Sequence, residues 1–117
     1  TILEHISRAG AASFLAVLKR LGAASEGLLA FPMPGYTLAL DLPFKGAETN
    51  RLIHALDEEV IAGGGRINLC KDSCLSPESF KAMYPNLKQW QEVKRKLDPE
   101  GLLQSGLSRR LRLLEED

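Results

Sequence analysis

The sequence is poor in the features that usually declare a protein's class. It has no apolar run near the ~20 residues needed to cross a bilayer, and its first residues lack the charged-then-apolar order of a secretory signal. It has no excess charge of either sign: fifteen Lys plus Arg balance fifteen Asp plus Glu, so no net field favours nucleic acid or an anionic membrane. Its two cysteines, Cys70 and Cys74, are four apart, and its two histidines, His5 and His54, lie far from them. That is neither CxxC nor part of a larger Cys/His array, so two reduced thiols are expected and no metal site. No GxSxG occurs, and neither Ser73 nor Ser76 has a nearby histidine, which leaves serine-hydrolase chemistry unsupported. The expectation is a soluble, cytoplasmic chain without a transmembrane segment or a nucleic-acid partner.

What is present suits one globular domain, residues 1–117, with 44% apolar content. Ile2, Leu3 and Ile6 have helical spacing and stop at Gly10; they read as the tail of a helix already under way, so the chain is expected to be part of something longer. SFLAVLKRL (13–21) alternates, with Leu15, Val17, Lys19 and Leu21 on one face. Two prolines in FPMPG (31–35) hold back the next strand, YTLALDLP (36–43), whose core face is Tyr36, Leu38, Leu40 and Leu42. From Ala47 to Ala62 an apolar stripe of Leu52, Ile53, Leu56, Val60 and Ile61 predicts a helix, which Gly63, Gly64 and Gly65 end. These glycines follow a helix, the reverse of a phosphate loop. RINLCKD (66–72) alternates as a third strand. Ser76-Pro77 caps a short helix ended by Pro85, NLKQWQEVKRKL (86–97) is a further helix, and the leucine-containing tail has no clear period. Arg109, Arg110 and Arg112 beside Glu115, Glu116 and Asp117 read as an exposed, self-neutralising tail. The order predicts an α+β fold: a small antiparallel sheet with helices packed on one face and a half-polar second face carrying Lys19, Thr37, Ala39 and Asp41.

Lys71 is the anomaly. It closes an apolar run just ahead of a helix start. A solvated strand-end lysine is the ordinary reading of such a residue; a cation positioned for an anion on a substrate or cofactor is the functional one, with Lys19 as a possible neighbour.

SFLAVLKRLG (13–22), FPMPGYTLALDLP (31–43), GGRINLCKDSCLSPESFKAMYP (64–85) and VKRKLDPEGLLQSGLSRRL (93–111) together resemble the C-terminal part of FAD-linked oxidoreductases of the vanillyl-alcohol-oxidase type. The resemblance implies a C-terminal substrate, or cap, domain whose sheet covers the flavin, with FAD held mainly by a separate N-terminal domain that this chain does not contain. It implies oxidation of a CH–OH group of a sugar or sugar-like alcohol by hydride transfer to flavin N5, with this chain inactive by itself. It makes Lys71 the catalytic, flavin-facing cation and Lys19 a second anchor in the substrate pocket, with Thr37, Ala39 and Asn68 as pocket lining. Thr37, Ala39, Leu21 and Asn68 depart from the asparagine, cysteine and aromatic side chains found in relatives, so the pocket differs. A free-standing α+β module that binds a small ligand or a partner chain without catalysis is the alternative.

Overall fold

A computed structural model of the chain describes residues 1–11 and 14–115; Ser13, in the first expected strand, and the acidic pair Glu116 and Asp117 lie outside them. The elements are α1 (Ile2–Arg8), β1 (Ala16–Leu21), β2 (Gly35–Leu40), α2 (Ala47–Ala62), α3 (Pro77–Met83), α4 (Leu87–Leu97) and α5 (Gly106–Arg110). The class is α+β, as the sequence pattern predicts: a small antiparallel sheet and five helices among the described residues. None of these helices is long and apolar enough to cross a membrane.

The two strands pair with Lys19 opposite Thr37, Val17 opposite Ala39 and Leu18 opposite Leu38. Because successive side chains alternate, Val17, Lys19, Leu21, Thr37 and Ala39 share one face, and Leu18, Arg20, Tyr36, Leu38 and Leu40 the other. The expected third strand at 66–72 does not form. Its backbone groups bond locally: the Cys70 N–H donates to Asn68 Oδ1 at 3.1 Å and the Lys71 N–H to the Asn68 carbonyl at 2.9 Å, closing a turn. A side-chain acceptor two residues back competes directly with a ladder partner, and here it prevails.

The core is built by the C-terminal half. Ser76 caps α3, its Oγ accepting from the Ser79 N–H at 3.0 Å, and the helix turns Phe80 and Met83 inward. With Leu75, Tyr84, Leu87, Leu111 and Leu113 they form one buried cluster, on which Val60 and Ile61 of α2 and Trp90 of α4 pack. The α2 stripe ends where predicted: Gly64 has φ +68°, and the Gly65 N–H donates to the Val60 carbonyl at 2.8 Å.

The tail departs from its reading as an exposed, aperiodic segment. Ser105 and Ser108 cap α5 reciprocally, at 2.7 and 3.0 Å, and the chain then drives Leu111 and Leu113 into the core. Gln91, buried in α4, holds it there by donating to the Leu113 carbonyl at 2.8 Å. Ahead of α5, Asp98 accepts from the Leu102 and Leu103 N–H groups, both at 2.9 Å, and pairs with Lys94; the Lys94 hydrogen bond, then these amides, hold its carboxyl below the usual range.

Candidate functional site

The segment that carries Lys71 hangs between α2 and α3 and is tied at both ends to the rest of the fold. Arg66 Nη1 donates to the Ala30 carbonyl at 2.9 Å, and its guanidinium lies 5.3 Å from the centre of the Tyr84 ring. Tyr84 donates its hydroxyl to the Ile67 carbonyl at 2.7 Å; burial pushes the phenol up to about 12, so it stays a donor across the physiological range. The Ile67 N–H reaches Met83 Sδ at 3.3 Å. Asn68 then makes the turn described above, and Lys71 stands on it, exposed.

Asp72 closes the segment from the other side. Its Oδ1 accepts from the Cys74 and Leu75 N–H groups at 3.0 and 2.8 Å, and its Oδ2 accepts from Arg110 Nη2 at 2.5 Å. Arg110 Nη1 also reaches the Leu75 carbonyl at 2.6 Å, so one guanidinium spans both ends of residues 72–75. The Asp72 side chain is only 4% exposed. Cys74 lies close by; its burial, reinforced by Asp72, pushes the thiol up and makes it a poor thiolate.

The structure brings Lys19, Thr37 and Ala39 together on one face of the hairpin, with Thr37 half-buried and the other two exposed. It brings Asn68 and Lys71 together in one turn. The two sets share a base, since Ala30, held by Arg66, belongs to the connection between β1 and β2, and its neighbour Leu29 packs on the core. Neither lysine's ammonium group has a hydrogen-bond or ion-pair partner among the described residues. A cavity of about 370 Å³ lies elsewhere, between α3 and α4, lined by residues including Lys81, Lys88, Gln91 and Arg95 and by none of these five. Among the described residues no three of His, Cys, Asp and Glu group as metal ligands would.

Three charged residues escaped sequence reasoning. Arg110 reads as part of an exposed tail, yet it pairs with a residue 38 positions away. Asp72 falls in the expected strand, although an Asp just ahead of a helix start is itself a turn signal. Asp57 is 3% exposed on α2, where it lies between Ile53 and Val60 at apolar spacing, a signal available in the sequence. Its Oδ2 has no hydrogen-bond partner among the described residues, and burial pushes its carboxyl up to about 6 despite His54 Nδ1 at 3.8 Å.

Known proteins carry the same segments. A family model described as D-arabinono-1,4-lactone oxidase matches residues 41–111. Decaprenylphosphoryl-beta-D-ribose oxidase of Mycolicibacterium smegmatis is 40% identical over 114 residues, which cover 97% of this chain and 25% of that protein. A Streptomyces coelicolor chain known as the uncharacterized protein in mprA 5′ region is 41% identical over 116 residues, covering 96% of this chain and 32% of its own length. The chain thus spans a quarter to a third of the length of these curated relatives.

Proposed function

Because the chain belongs to the D-arabinono-1,4-lactone oxidase family, we propose that it is the C-terminal substrate domain of an FAD-dependent oxidoreductase that oxidises a CH–OH group of a sugar or sugar-like alcohol. FAD, held mainly by polypeptide outside this chain, supplies the hydride acceptor. The observation that carries the reading is the family match itself, whose residues 41–111 include the turn on which Lys71 stands. The name of the mycobacterial relative, an oxidase of a phosphorylated ribose derivative, favours a sugar.

The residues present suit such a partner. Lys71 offers an unpaired ammonium on a turn tied down on both sides, and such a cation favours negative charge that develops beside it during oxidation. Lys19 and Thr37, opposite each other on the hairpin, offer donors to sugar hydroxyls, and Ala39 and Asn68 complete the lining. The hairpin face that bears Lys19, Thr37 and Ala39 is the one we assign to covering the flavin.

The test is anaerobic flavin reduction by candidate sugar alcohols in the complete polypeptide. Lys71→Met should slow reduction on the order of 10²–10³-fold, the usual cost of deleting one preorganised charge partner. Reduction at the parent's rate would remove Lys71 from the mechanism.

A further inference from the structure

We propose that Arg110 is a positioning residue for Lys71: it locks the turn that presents the lysine by pairing with Asp72, the next residue in the chain. This inference rests on the functional reading above, since a locked lysine matters only if Lys71 acts.

The geometry is unusual for a surface turn. Cys70, Lys71 and Ser73 are exposed, and turns of that kind are ordinarily among the most mobile parts of a domain. Here the side chain between Lys71 and Ser73, that of Asp72, is nearly buried and is held at both carboxylate oxygens. Two backbone amides hold Asp72 Oδ1, and Arg110 holds Oδ2 at 2.5 Å. The same guanidinium reaches the Leu75 carbonyl at 2.6 Å, so rotation of the 72–75 segment would break two bonds to Arg110 together. The backbone that carries Arg110 is anchored, because the next residue, Leu111, is fully buried. On the other side, the Lys71 N–H is held by the Asn68 carbonyl. The lysine therefore has an anchored base and a free tip, which is what a side chain aimed at a ligand requires.

The experiment measures anaerobic flavin reduction at saturating sugar alcohol in the complete flavoprotein, with flavin content as a check on folding. Arg110→Met should slow reduction about tenfold to a hundredfold, the scale of a misplaced catalytic group, and Arg110→Lys should recover part of the loss. Should Arg110→Met lose its flavin, Asp72→Asn replaces it: the amide keeps an acceptor for the Cys74 and Leu75 N–H groups and turns the atom facing Arg110 into an NH2 donor, which removes both the charge and the hydrogen bond to Arg110. The deciding readout is the combination with Lys71→Met. If Arg110 acts through Lys71, adding either change to Lys71→Met causes no further slowing. Independent, multiplying effects would overturn the positioning role and leave a purely structural one. A parent-like rate in both Asp72→Asn and Arg110→Met would also overturn it while leaving Lys71 in place. A parent-like rate in Lys71→Met would sink the functional reading, and this inference with it.

Discussion

Asp57 shows how one side chain can set the pH dependence of the whole fold. Its carboxyl is buried on α2 with one oxygen unpartnered, so the native state favours the protonated form and lifts the group from an ordinary 3.8 to about 6. A raised carboxyl binds its proton more tightly when folded than when unfolded. Stability is therefore lost as pH rises from about 4 through about 6, and is level above that. For a rise from 3.8 to about 6 the loss is on the order of 3 kcal/mol. Asp57→Asn should raise the unfolding temperature at pH 7.5 and leave it nearly unchanged at pH 4. A shift that is equal at both values would show that the fold does not raise the Asp57 carboxyl. Sequence periodicity places Asp57 within an apolar stripe, so its burial is legible; its missing partner is not, because that depends on what α3 and the 66–75 segment bring alongside.

At the scale of elements, the helices follow from the sequence closely. α2 occupies its predicted span, and α3 and α4 lie within a residue or so of theirs, because apolar spacing, a serine cap and proline or glycine stops all agree. The third strand fails for a comparably local reason. Residues 66–72 alternate as a strand would, but Asn68 and Asp72 each offer a side-chain oxygen to nearby amides, and a turn results. α5 is also missed, since five residues are too few to show a period. The energetic centre is α3. Phe80 is fully buried and stacks on Tyr84 at 4.9 Å between ring centres. Phe80→Ala should cost about 3–5 kcal/mol, seen as a lower urea midpoint at unchanged slope. A loss below about 1 kcal/mol would mean the cluster closes over the gap, contrary to the close packing expected of such cores.

At the scale of the molecule, the chain is more open than its length requires. Its radius of gyration is 15.6 Å, where a compact chain of this size has roughly 13 Å. Its accessible surface is 8072 Å², against roughly 6300 Å² for a compact monomer of equal mass. The hairpin accounts for part of this: Leu18 and Tyr36, on the face opposite Lys19, are 67% and 73% exposed, and a two-stranded ribbon alone is marginal in water. Prepared by itself, the chain should be colourless and should self-associate with rising concentration in sedimentation experiments, and Leu18→Ser with Tyr36→Thr should reduce that association. A monodisperse monomer at all concentrations would show that this apolar face is tolerated in water.

Residue order alone determined the α+β class, the extents of α2 to α4 and the shared face of Lys19, Thr37 and Ala39. All of these rest on spacing and on caps within a few residues of each other. Only the tertiary structure decided that Asp72 meets Arg110 across 38 residues and that the tail's leucines close the core. Those outcomes depend on which distant groups are brought into the same small, water-poor volume, and no local period in the chain encodes that encounter.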